Sequence, residues 1–153
     1  MKNMKKLFIP ALAVFLLVAC GEGSTERTDG FSEVPKTAED SLFRDVMDGH
    51  DEGMARMGKM TRYRKQISEQ VDSLSKLTPS ASQERLKAIL QQLDEQLKSA
   101  EDGMNEWMDN FSLDTAQDEG PDRRPYLEAE KFKVTQVRDR ILEAVQKADS
   151  LLK

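Results

Sequence analysis

From Phe43 onward the chain places its core-type residues at intervals that alternate between three and four. Phe43, Val46, His50, Gly53, Met57, Met60, Arg64, Ile67, Val71 and Leu74 follow this spacing without a break. An α-helix returns to the same face about every 3.6 residues, so the pattern predicts one long amphipathic helix and conflicts with the period of two of a strand. The seam is heptad-like, as in a coiled coil, but His50, Gly53 and Arg64 are odd occupants of it. Met47 and Met54 flank it. Pro35-Lys36-Thr37-Ala38-Glu39-Asp40 reads as a helix start, with Thr37 as N-cap and acids in the first turn. Thr78-Pro79 predicts an end near Leu77.

A second seam follows: Leu86, Leu90, Leu93, Leu97, Ala100, Met104, Trp107 and Phe111. Ser80-Ala81-Ser82-Gln83 reads as a capping box that opens this helix. The short connection at 77–81 implies an antiparallel helical hairpin. Residues 112–124 read as a polar loop. Pro125 then suits the first turn of a third helix. Its stripe is Leu127, Val134, Val137, Ile141, Val145, Ala148 and Leu152, with Lys131 and Arg138 interrupting a strict heptad. Eight Gly and five Pro are too few for a turn-rich all-β domain. The expected fold is all-α, a three-helix up-down-up bundle over 37–153, with helices of roughly 40, 30 and 27 residues.

The first twenty residues read as an address. Lys2, Lys5 and Lys6 precede an apolar run from Leu7 to Val18 that is too short for a spanning helix. The run ends in Leu17-Val18-Ala19-Cys20, which resembles the bacterial lipobox, in which the Cys becomes the lipidated N-terminus of the mature protein. The expected organisation is a lipoprotein signal peptide at 1–19, then a lipidated Cys20 and flexible tether at 20–36 that is rich in Gly, Ser, Thr and charge. Cys20 is the only cysteine, so the mature chain would hold no disulfide and no Cys-based zinc site. Removing three Lys leaves 20 basic against 28 acidic residues, a net charge near −8. That sign argues against nucleic acid and against a basic membrane-binding face. Attachment is therefore expected through palmitate-type acyl chains, several of which anchor stably where one does not. Gly21, in place of Asp, lacks the inner-membrane retention signal of enterobacteria, which favours the outer membrane, with the domain in the periplasm or at the cell surface.

The methionines of the mature chain fall into two groups. Met47, Met54, Met57 and Met60 surround His50, and Met104 and Met108 bracket Trp107. If the turn centres near 79, antiparallel partners have numbers that sum to about 158. His50 then lies opposite 108, Met54 opposite 104 and Met57 opposite 101. Thioethers are soft ligands that select Cu(I), a neutral imidazole adds a nitrogen donor, and an indole face attracts a cation. The metal candidates are His50, Met54, Met57, Met104 and Met108, with Trp107 as a cation-π lid. Zinc fits poorly, since there is one His and no free thiolate. The competing readings are plain core packing, in which Met fills gaps where Gly lets helices approach, and a partner-binding groove. His50 on a seam needs a hydrogen-bond partner in either case.

Other sites have less support. Adjacent helical residues point about 100° apart, so Asp51 and Glu52 are not expected to share a face with His50. No Gly-rich phosphate loop or Gly-x-Ser-x-Gly elbow occurs. Asp118-Glu119 and Asp122 read as a solvated acidic loop in preference to a cation site. Gly49, Gly53 and Gly58 within one helix predict close packing or local unwinding near His50.

Three segments carry a resemblance: His50-Asp51-Glu52-Gly53-Met54-Ala55-Arg56-Met57-Gly58, the Trp107-Met108 pair, and Tyr126-Leu127-Glu128-Ala129-Glu130-Lys131, followed by the closing Ala148-Asp149-Ser150-Leu151-Leu152-Lys153. Over about residues 43–153 the chain resembles small lipoproteins of Bacteroidota that often carry the automatic label "viral A-type inclusion protein". The resemblance implies a lipoprotein and a helical bundle, and no assigned activity. The expectation is a non-enzymatic, lipid-anchored binding or structural module of the bacterial envelope, without a resident cofactor. It would contact the membrane through its N-terminal lipid, and a protein partner through the helical seam. The alternative is periplasmic Cu(I) or soft-metal binding.

Overall fold

The computed structural model describes residues 35–152. The signal peptide at 1–19, Cys20 and nearly all of the tether lie outside the described residues. Four helices follow: α1 (Ala38–Ser75), α2 (Ala81–Asn110), α3 (Leu113–Gln117) and α4 (Arg123–Leu151), with no strand among the described residues. The chain is all-α, as its periodicity requires.

The helix starts follow local chemistry. Thr37 accepts a hydrogen bond from the Asp40 backbone N–H, and the Asp40 carboxylate accepts from the Thr37 N–H, completing a capping box. Ser80 caps α2 by accepting from the Gln83 N–H. The reciprocal half of the expected box is missing: Gln83 Oε1 is buried without a hydrogen-bond partner among the described residues. The 112–124 segment is not only loop. Ser112 caps the five-residue α3, and Ala116 on it is fully buried. A single turn is too short to show a helical period, which is why the sequence pattern misses it.

Contacts between helices fix their directions. Between α1 and α4 the paired numbers rise together: Asp40 with Arg123 at 2.8 Å, Asp45 with Lys131 at 2.6 Å, Lys59 with Asp149 at 2.8 Å, and Gln66 with the Leu152 carbonyl at 3.1 Å. These two helices therefore run parallel. Between α1 and α2 the numbers run oppositely, since His50 meets Met108 and Arg64 meets Asp94. Each of the three long helices packs on the other two. Lys131 and Arg138, which interrupt the α4 stripe, reach outward to Asp45 and Glu52 of α1. Arg64, the cation on the α1 seam, bridges Asp94 and Glu101 of α2. Such partly exposed pairs each add modest stability, and their order follows the register of the helices.

The core runs the length of the three helices and includes Val46, Met60, Ile67, Leu97, Met104, Leu127 and Ile141. Gly49 and Gly53 allow α1 to approach its neighbours. A Cβ on Gly49 would stand 3.1 Å from Val134 Cγ1, and one on Gly53 would stand 2.5 Å from Met104 Cε and 3.3 Å from Ile141 Cδ1. The helix stays unbroken across this stretch, so close packing and not unwinding explains these two glycines. Gly58 is different: its Cβ would meet only the Arg62 guanidinium, at 3.9 Å.

The α1–α4 junction is expected to respond to acid through Asp40. The Arg123 guanidinium holds the Asp40 carboxyl below its ordinary value of 3.8; burial opposes this, and Thr37 and the Lys36 N–H reinforce it. A carboxyl depressed in the folded state stabilises it above the unfolded pKa, and that contribution is lost as pH falls through the folded value. Acidification below 3.8 is therefore expected to lower the thermal midpoint of the native chain. Asp40→Asn should lower the midpoint at neutral pH and flatten its fall over the same acid range, as thermal scans across a pH series would show.

α4 ends while α1 and α2 continue. Gln66 is level with Leu152, and α1 runs on to Ser75, roughly 14 Å further at 1.5 Å per residue. Four of the seven exposed large apolar residues lie at this end: Leu77, Leu86, Ile89 and Leu151. Leu86, a member of the α2 seam, is 44% exposed because no third helix among the described residues reaches it.

Candidate functional site

The α1 seam and the last turns of α2 bring His50, Trp107 and Met108 together. His50 is half-buried, with its Nε2 3.3 Å from Sδ of Met108 and its Nδ1 2.8 Å from Oδ1 of Asp51. Its ring centroid lies 5.7 Å from that of Trp107, the planes tilted by 39°. Trp107 in turn packs on Phe111 at 4.9 Å, and Phe111 on Tyr126 at 6.0 Å. The Asp51 contact corrects the expectation from helical spacing. The Cβ directions do diverge, but His50 sits at the edge of the seam, and a carboxylate one residue on has the reach to meet its outer nitrogen.

Trp107 is not a lid. It is 6% exposed, and its Nε1 donates to Oε2 of Glu130 at 2.9 Å. The indole is a wall between the imidazole and the core, held by a buried carboxylate. Glu130 is 4% exposed, and its other oxygen accepts from Lys133 Nζ at 2.7 Å. That pairing raises the Lys133 pKa. Burial pushes the Tyr126 hydroxyl up, and the Ser112 N–H donated to its oxygen at 2.6 Å opposes the shift. Glu130 escaped the sequence reading, though a signal was present. The α4 stripe skips from Leu127 to Val134, and Glu130 fills the vacant inward position between them. A buried Trp also needs an acceptor for its N–H. Beside this pair, an open groove of about 820 Å³ runs between α2 and α4, with Tyr126, Val137 and Arg140 in its lining.

The structure separates the five metal candidates. His50 and Met108 touch. Met104 is fully buried, and its methyl fills the notch above Gly53, so it serves as core filler. Met57 packs against the core two turns beyond His50. Met54, one turn from His50, is 37% exposed. Among the described residues, no group of three or more His, Cys, Asp and Glu is placed to hold a metal ion. In the acidic loop, Asp118 accepts from the Gly120 N–H and closes its own turn. No described helix is long and apolar enough to cross a membrane.

No protein-family model, curated protein or solved structure matches the chain.

Proposed function

We propose that this protein is a lipid-anchored, non-enzymatic binding module of the bacterial envelope, and that it meets a protein partner at the free end of its α1–α2 hairpin. The carrying observation is the grouped apolar exposure at this end: Leu77, Leu86 and Ile89 stand 54%, 44% and 45% exposed beyond the level that the described part of α4 reaches. Grouped apolar exposure of this kind marks interaction surfaces, whereas isolated apolar residues do not. A partner with an apolar helical stripe would complete the missing third position. The anchor is supported by Leu17-Val18-Ala19-Cys20, behind the charged and apolar segments of a lipoprotein leader.

Two measurements test this reading. In a bacterial host, radiolabelled palmitate should enter the native chain and not Cys20→Ala, and the variant should leave the membrane fraction. Equal membrane retention of the variant would overturn the anchor. A photo-crosslinking residue at Ile89 should give a discrete protein adduct in intact cells, and one at exposed Lys98 in mid-α2 should not. Absence of an adduct from Ile89 would remove the partner surface. The interaction should also survive Met→Leu changes at Met54 and Met108, which lie far from that end.

A further inference from the structure

We propose that the junction of His50 and Met108 binds a soft monovalent metal ion, Cu(I) or its chemical analogue Ag(I). The argument starts from the protons. A neutral imidazole carries one N–H, and an ionised carboxylate can only accept. The 2.8 Å contact between Nδ1 and the Asp51 carboxylate favours the tautomer with that proton on Nδ1. In the tautomer of the neutral ring that carries its proton on Nδ1, Nε2 presents its lone pair beside the Met108 sulfur, 3.3 Å away. A thioether has no proton to offer either. In that tautomer two electron-pair donors, an imidazole nitrogen and a thioether sulfur, stand 3.3 Å apart, close enough for one soft cation to bind both.

The surroundings suit such an ion. A ring whose other nitrogen donates to a carboxylate is fixed in tautomer and orientation and made a stronger ligand. Thioether sulfur favours Cu(I) over harder cations. Met54, one turn along α1 and partly exposed, is a flexible third donor on the solvent side. The Trp107 indole packs beside the imidazole, its centroid 5.7 Å away, and brings an aromatic ring close to any bound positive charge. Zn(II) lacks here the second imidazole or thiolate that it requires. The ligand set is thus His50 and Met108 with Met54 completing it; Met57 and Met104 are not part of it. This site lies roughly 40 Å along α1 from the hairpin end, so it stands or falls separately from the partner surface.

The chain's single Trp makes the test direct. The full chain in detergent is titrated with Ag(I) nitrate in chloride-free buffer, and anaerobically with Cu(I) against a chromogenic chelator. The expected result is a saturable change in Trp107 emission at one equivalent and competition with micromolar chelator. Met108→Leu and His50→Ala should each weaken binding by about tenfold or more, and Asp51→Asn by a smaller factor through loss of ring orientation. Met60→Leu, buried in the core, should bind as the native chain does. Circular dichroism checks that each variant is folded, and the volume-conserving Met108→Leu carries the test if His50→Ala is not. Native-strength binding in Met108→Leu, no competition at micromolar chelator, or equal saturation by Zn(II) would each overturn the proposal.

Discussion

Truncating Trp107 to alanine is expected to destabilise the chain by about 3–5 kcal/mol, the range for removing a large aromatic from a core. Three losses combine. The indole is 6% exposed, so its removal opens a cavity against His50 and Phe111. The row of rings from His50 through Trp107 and Phe111 to Tyr126 loses one of its two inner members. The buried Glu130 carboxylate also loses the Nε1 donor at 2.9 Å. Trp107→Phe separates these losses. It keeps most of the packing and leaves one carboxylate oxygen without its donor, at a cost of about 1–3 kcal/mol. In the Glu130→Gln background the same Trp107→Phe change should cost less, since a neutral amide is easier to leave partly unsatisfied. Urea unfolding followed by far-UV circular dichroism measures all four variants. A Trp107→Ala cost below that of Trp107→Phe would contradict the assignment of Trp107 as a core wall.

The second large effect concerns the glycines of α1. Gly53→Leu is expected to destabilise by about 1–3 kcal/mol or more, the cost of overpacking a filled core. The Met104 methyl could swing away from a new Cβ, but a leucine would also meet Ile141 Cδ1 and the α4 backbone at Arg138, whose Cα lies 3.9 Å from the Cβ position. Relief would require α1 and α4 to separate along their whole interface. Gly58→Ala should have the opposite sign. No backbone or core atom stands near its Cβ, and alanine gains about 1 kcal/mol of helix propensity over glycine. Measured together, these two substitutions on one helix separate packing from propensity.

Much of the fold was legible in the sequence. The spacing of Val46, Met60 and Ile67 on α1 and of Leu90, Leu97 and Met104 on α2 marks residues that the structure buries. The Thr37 and Ser80 caps were legible because capping depends on side chains within a few residues of the cap. The hairpin register was legible through loop length, and it places His50 beside Met108. Several features were not legible. Leu86 has the same spacing as its buried neighbours, and only its place beyond the described turns of α4 distinguishes it from them. Glu130 looks like a surface acid until Trp107 arrives from another helix. Asp51 looks remote from the His50 ring if only Cβ directions are counted.

The division has a physical reason. Helix formation, helix starts and the choice of inward face depend on interactions within about one turn, so residue order along the chain encodes them. By itself the sequence determined an all-α chain with two long seams joined by a short turn. The tertiary structure alone decided which seam positions were covered, which charges were paired across helices, and which polar side chains from different helices came into contact. These outcomes depend on side chains brought together from positions 58 residues apart, as for His50 and Met108, or 23 apart, as for Trp107 and Glu130. The energy of such contacts is set by distance and desolvation in three dimensions, which periodicity along one chain does not record.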